Sequence, residues 1–174
     1  MSENPDKPKS LCKIISDNKP DFFRGPSVKI QVQKSTTHGY GVFAIEDIEE
    51  GELIEESRMM RTGLRSNYTH DVVLRDYFWG LNKCTCDECR EHGFVQFMGL
   101  GYLVLYNHQD QPNTKQKIEF DREVMTIIAR RNISKGEEIF VTYGPKYWFF
   151  RKLWHKLSDD AKNQIFDSMN LSNP

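Results

Sequence analysis

Thirteen consecutive residues, Phe94 to Tyr106, are almost wholly apolar, broken only by Gln96, Gly99 and Gly101, and the run stops on the polar pair Asn107-His108. A bilayer span needs about 20 apolar residues, so this segment is too short to cross a membrane and reads as buried backbone at the centre of a fold. The amide and imidazole that end it therefore face burial with donors and acceptors to satisfy. Such groups either cap local backbone or hold a polar ligand, and both readings stand at this point. No longer apolar run exists, and Pro5, Asp6, Lys7 and Pro8 leave no apolar core for a secretory leader. A soluble, intracellular protein with no membrane partner is expected. Its 174 residues suit one domain. With 24 Lys and Arg against 25 Asp and Glu, the net charge of -1 argues against a chain that blankets nucleic acid with positive charge. Aromatic residues make up 12% of this polar chain, more rings than packing alone readily explains.

Three parts are expected. Residues 1–26 hold Pro5, Pro8, Pro20 and Pro26 among Lys, Asp and Ser, the composition of a mobile N-terminal arm. Residues 27–148 form the domain, with a Cys-rich insertion at about 82–93, and 149–174 carry apolar residues at helical spacing, a helical tail with Ser158 as an N-cap. Val28, Ile30 and Val32 alternate with polar residues as in a half-buried strand, and after a turn at Ser35 to Gly41 the stretch Val42 to Ala44 resumes apolar character. Further strands are expected over 117–120, 124–129 and 139–141, with Asp121-Arg122 as a hairpin tip. The spacing of Val72, Val73, Tyr77 and Phe78 predicts a short helix over 69–81. Glu46 to Glu56 carries seven carboxylates in eleven positions, two short strands broken at Gly51. It is either a solvated face or a docking surface for a basic peptide.

Three segments carry candidate chemistry. His38-Gly39-Tyr40-Gly41 has two glycines one residue apart at a strand entrance, where missing Cβ atoms let backbone groups approach a ligand; a plain tight turn is the alternative. It lacks the third glycine and following helix of a dinucleotide site. Tyr106-Asn107-His108 is followed by Pro112-Asn113, and Ile139 to Val141 runs into a Thr142-Tyr143-Gly144 corner. Separately, Cys84, Cys86, Cys89 and His92 place three thiols and an imidazole within nine residues. They suit a tetrahedral zinc site, although the first pair is spaced more tightly than in common fingers, and unligated thiols are the other reading.

Together HGYGVFA, YNHQDQPN and ARRNISKGEEIFVTYGPKYW, in this order over about residues 28–148, resemble the SET domain family of protein lysine methyltransferases. GELIEE, DYFWG and GLGYLVLYNH are most similar to the minimal SET proteins of chlorella viruses and their bacterial relatives. The resemblance implies a mostly β fold of short antiparallel sheets with some helix, a C-terminal pseudoknot and a helical tail. It implies S-adenosylmethionine as cofactor, held by Gly39, Tyr40, Gly41, Tyr106, Asn107 and His108, and a lysine channel on the opposite face with Tyr143 at the transfer point, also against the cofactor. A second channel tyrosine maps to Tyr77. Many larger members add a zinc cluster that begins two residues after the His; this chain has Asp110 there and no cysteine beyond Cys89. Tyr147, Trp148, Phe149 and Phe150 are then the candidates to close the site, with Trp148 either stacked on adenine or packed in the core.

The implied substrate is a protein with a basic, lysine-containing segment, a histone tail first among them, and no direct nucleic-acid partner. The viral likeness admits a homodimer. A viral or chromatin-directed enzyme would work in the host nucleus or virion, and otherwise in the cytoplasm. Two rivals remain: a catalytically idle SET scaffold that binds peptide, and a zinc knuckle that binds nucleic acid, for which Lys83 and Arg90 are a thin basic face.

Overall fold

The computed structural model describes residues 23–63, 77–81, 94–119, 122–144, 147–148, 156–158, 160–161 and 164. Among them are ten strands: β1 (Gly25–Pro26), β2 (Ile30–Lys34), β3 (Tyr40–Ala44), β4 (Leu53–Gly63), β5 (Phe78–Leu81), β6 (Phe94–Gly99), β7 (Asn107–His108), β8 (Thr114–Glu119), β9 (Val124–Ala129) and β10 (Glu138–Val141). One sheet runs β5-β6-β4-β9-β8 with β1 also on β4, and a second runs β2-β3-β10-β7. Pairing is antiparallel except where β10 lies parallel to β7. This is the mostly β architecture expected.

β9 reads Val-Met-Thr-Ile-Ile-Ala and is buried at every position but Ile128, because β4 and β8 flank it and both faces are covered. Ile54, Met59, Phe97, Leu103, Met125, Ile127, Ile133 and Ile139 fill the core at 2% exposure or less. Each such side chain contributes about 1.5–3 kcal/mol of burial. The β8–β9 hairpin starts earlier than the sequence pattern indicates, at Thr114, and turns through Arg122 and Glu123. Glu123 adopts φ 53°, a left-handed backbone that its 2% exposed carboxylate helps to hold by ion pairs to Arg58 and Arg61 on β4.

Two expectations change. Residues 78–81 of the predicted helix over 69–81 form β5 instead, paired to β6 through Phe78↔Met98, Trp79↔Phe97 and Leu81↔Gln96. A neighbouring apolar strand outweighs the helical spacing, and the aromatic pair Phe78-Trp79 suits a pleated surface; positions 69–76 lie outside the described residues. The acidic segment is not two short strands. Ile48 bridges Ile133, Gly51 turns at φ 84°, and β4 then runs for eleven residues. Asp47 Oδ1 accepts from Lys135 N at 2.8 Å and Asn132 Oδ1 accepts from Glu50 N at 2.8 Å, which places this turn at the N-terminal end of β10.

In the tail, Ser158 Oγ accepts from Ala161 N at 3.2 Å, the bond of an N-cap. Most of 149–174, residues 1–22 of the expected 1–26 arm and the Cys-rich stretch 82–93 lie outside the described residues, whereas Gly25–Pro26 of that arm pair with β4 as β1. Among the described residues no helix is long and apolar enough to cross a membrane.

Candidate active site

β7 beside β10 is what assembles the site: the register Phe140↔Asn107 and Val141↔His108 brings the end of the apolar run against the strand that leads to Tyr143. Beyond β10 the chain turns through Thr142, Tyr143 and Gly144, the last at φ 78°. Tyr143 N donates to His108 Nδ1 at 3.1 Å. That nitrogen must then be the acceptor, so the ring proton sits on Nε2, which lies 3.1 Å from Asp110 Oδ1. Both nitrogens of His108 are thus engaged, and the ring acts as a prop for Tyr143. The Tyr143 phenol donates to the Tyr106 carbonyl at 2.9 Å. Because a carbonyl only accepts, the phenol's one proton is committed there and its oxygen is left as an acceptor.

Asn107 faces the glycine turn. Its two Nδ2 hydrogens are shared among His38 O at 3.1 Å, Tyr40 O at 3.2 Å and Glu138 Oε1 at 2.7 Å, three acceptors that fix which end of the amide is nitrogen. Among the described residues no donor reaches its Oδ1, although the side chain is only 5% exposed. The two glycines serve different ends. A Cβ at Gly41 would collide with Glu138 Oε1 and stand 3.0 Å from Asn107 Nδ2, so this position is glycine because the amide–carboxylate pair needs the room. Gly39 has open space around a would-be Cβ and instead needs its φ of 50°. Glu138, 8% exposed, also accepts from Ser35 Oγ at 2.9 Å and so ties the 35–41 turn to β10.

Rings gather around Tyr143. Trp79 meets it edge-on at 5.9 Å between centroids, Tyr147 at 4.7 Å, His108 at 5.3 Å, and Trp148 stacks at 6.4 Å and 25°. Trp148 also contacts His108 and Tyr147, and with 39% exposure it forms a wall of the site instead of core. Tyr77 stands 36% exposed at the entrance to β5; the β5 ring that reaches Tyr143 is Trp79, two residues on. Tyr106 presents its carbonyl, not its ring, to the site. Its ring is 1% exposed and its hydroxyl donates to Glu55 Oε2 at 2.8 Å.

The structure therefore brings Gly39, Tyr40, Gly41, Asn107, His108, Tyr143 and Trp148 together around the three neighbouring strands β3, β10 and β7, with Tyr40 65% exposed at the turn. Sequence reasoning missed Trp79, Glu138 and Glu55. Trp79 lies two residues after Tyr77, inside β5 where Tyr77 stands just ahead of it, and only reading the end of DYFWG as a strand would have found it. Cys84, Cys86, Cys89 and His92 lie outside the described residues, and no group of three or more His, Cys, Asp or Glu side chains among those described is arranged to hold a metal.

Comparison with known proteins accords with this geometry. Residues 39–144, more than half of the chain, match the SET domain, and the chain belongs to that family. Its relatives include methyltransferases. It is 25% identical over 149 residues to a Schizosaccharomyces pombe histone-lysine N-methyltransferase described as specific for H3 lysine-37, across 82% of this chain and 93% of that protein. A Candida albicans histone-lysine N-methyltransferase described as H3 lysine-36 specific is 32% identical over 126 residues, which span 66% of this chain but 14% of that protein. A crystal structure of a candidate histone methyltransferase from Plasmodium falciparum is similar with a TM-score of 0.50 and 29% identity, over 70% of this chain and 98% of that one.

Proposed function

We propose that this chain transfers the methyl group of S-adenosylmethionine to the side-chain amine of a lysine in a protein substrate, with a basic histone-like tail as the leading substrate class. The observation that carries the reading is the Tyr143 phenol, its proton spent on the Tyr106 carbonyl and its ring enclosed by Trp79, His108, Tyr147 and Trp148. The residues fit the cofactor: the buried Asn107 Oδ1 lacks a donor among the described residues, as an acceptor for an amine or adenine N–H would, and the space at Gly39 admits a ligand beside the turn. In this reading Gly39, Tyr40, Gly41, Asn107 and Trp148 hold the cofactor. When bound, it supplies an electrophilic methyl on a sulfonium.

The remaining work falls to the protein. A free lysine amine, with an ordinary pKa near 10.4, must arrive uncharged to act as nucleophile, and a ring-lined site disfavours the charged form by stripping its water. The Tyr143 oxygen then accepts an amine N–H and directs the nitrogen lone pair, so that rate comes from positioning and desolvation. A phenol with an ordinary pKa near 10 is a poor general base, and as an acceptor it need not be one. Before transfer a protonated amine would also meet like-charge repulsion from the sulfonium of a bound cofactor, and with that charge gone the rings favour the methylammonium product. Residues 27–148, with β1 paired to β4 just ahead of them, are the catalytic domain in this reading, the residues before β1 an arm, and 149–174 a tail that continues from Trp148. A histone substrate would place the enzyme in the nucleus.

Calorimetric titration with S-adenosylmethionine, then incubation with histones and mass spectrometry of their lysines, tests the proposal. Saturable one-site binding and methylated lysine are expected. Binding of a basic peptide without any transfer would favour the idle scaffold.

A further inference from the structure

The two sheets are joined by side chains as well as by the core. Asn113 Nδ2 donates to Glu138 O at 2.8 Å and its Oδ1 accepts from Phe140 N at 2.8 Å, while Thr114 Oγ1 donates to Phe140 O at 2.6 Å. Gln116 adds the last stitch: Nε2 donates to Thr142 O at 2.5 Å and Oε1 accepts from Thr142 N at 3.2 Å. Residues 138, 140 and 142 are thus held at a period of two by the β8 side, a ladder built partly from side-chain amides. The first stitches hold β10 itself. Gln116 differs in holding a residue beyond Val141, where the strand has ended and main-chain pairing has run out.

We infer that Gln116 is a positioning residue for the transfer proposed above, an inference that rests on that reading. Among the described residues, the corner around the phenol is anchored by Gln116 on both backbone groups of Thr142, by His108 on Tyr143 N, and by the Tyr106 carbonyl on Tyr143 OH. His108 and Tyr106 belong to the same short segment beside β10, whereas Gln116 belongs to the other sheet. It is the stitch that refers the Tyr143 corner to the β4–β9–β8 framework. A swing of about 10° at Thr142 moves a phenol oxygen by about 1 Å, a displacement that costs on the order of a hundredfold in rate when the group aligns a nucleophile. The ring cluster holds Tyr143 by non-directional packing, which tolerates such a swing; the two amide bonds do not.

Gln116→Leu keeps the shape and removes both bonds, and Gln116→Glu keeps an acceptor for Thr142 N but sets an oxygen against Thr142 O. The experiment compares both with wild type for kcat, peptide KM, cofactor Kd, melting temperature and amide hydrogen exchange at Thr142 and Phe140. Gln116→Leu is expected to lower kcat by at least about tenfold while peptide KM and cofactor Kd change by less than about threefold. Exchange should quicken at Thr142 and not at Phe140. Gln116→Glu, half-buried at the same place, should lower kcat in the same sense and carries the test if the leucine variant does not fold. An unchanged kcat in a folded variant whose Thr142 amide exchanges faster overturns the inference. So does a fall in kcat accompanied by equal loss of protection at Phe140, which would mark a purely structural role. A wild-type chain that transfers no methyl overturns the underlying reading instead.

Discussion

The Tyr106 phenol donates to Glu55 Oε2 across 2.8 Å, inside a core where Glu55 is 0% and Tyr106 1% exposed. Glu55 Oε1 accepts further from Ser57 Oγ at 2.6 Å and Tyr102 N at 2.9 Å, and a Cβ at Gly101 would strike the same oxygen. One carboxylate thus gathers β4 and the 100–106 loop, and at the far end of that loop the Tyr106 carbonyl holds Tyr143. Glu55 is one of the seven acidic residues that the sequence groups on one segment, either a solvated face or a docking surface for a basic peptide.

Burial pushes the Glu55 carboxyl above its ordinary value, against the pull of bonds from Ser57, Tyr106, Tyr102 and Leu103. Below pH 4.5, the ordinary value, folded and unfolded forms are both protonated and the group is neutral in the balance. As pH rises past that value the unfolded chain releases its proton first, so stability falls until the folded carboxyl also ionises. Glu55→Gln removes this penalty. The melting temperature of the variant minus that of wild type should therefore rise from acid to neutral pH, whatever constant offset the altered hydrogen bonds add. A difference that is flat or falls with pH would show that Glu55 is not held up by burial.

Gly41→Ala should be destabilising through Glu138. The added methyl meets the carboxylate and crowds the Asn107 amide, an overpacking worth about 1–3 kcal/mol. In a Glu138→Ala background the same substitution should cost markedly less, and denaturant unfolding of the four-member cycle reads the coupling. Additive losses would place the constraint at Gly41 elsewhere.

Trp148→Ala is expected to weaken S-adenosylmethionine binding by about tenfold or more while stability changes by less than about 1 kcal/mol, since the ring is a 39% exposed wall of the site. Calorimetry and thermal melting separate the two. A large loss of stability with unchanged cofactor affinity would return Trp148 to a packing role.

Much of this was legible in the sequence because its signals are local. β9 spans the residues its apolar content indicates, the Asn107 amide that ends the apolar run is buried as expected while Leu100 within the run is exposed, and the motif order carries the SET resemblance. What was not legible depends on partners far along the chain. Glu55 looks solvated until residues 102 and 106 fold over it, and residues 78–81 look helical until β6 lies beside them. Gln116 is an unremarked polar residue on a half-exposed strand until the Tyr143 corner arrives from 26 residues away. The glycines were found, but the reason for Gly41 was not, because it is a carboxylate nearly a hundred residues later in the chain.

Tyr143→Phe tests most directly whether Tyr143 aligns a lysine amine for methyl transfer. The substitution keeps the ring among Trp79, His108, Tyr147 and Trp148 and removes only the hydroxyl bonded to Tyr106 O. Single-turnover transfer from labelled S-adenosylmethionine to a lysine-containing substrate protein, with the modified residue located by mass spectrometry, should fall by more than about tenfold in the variant while cofactor affinity changes little. Equal rates for the two proteins on a substrate that wild type methylates would contradict the role given to Tyr143.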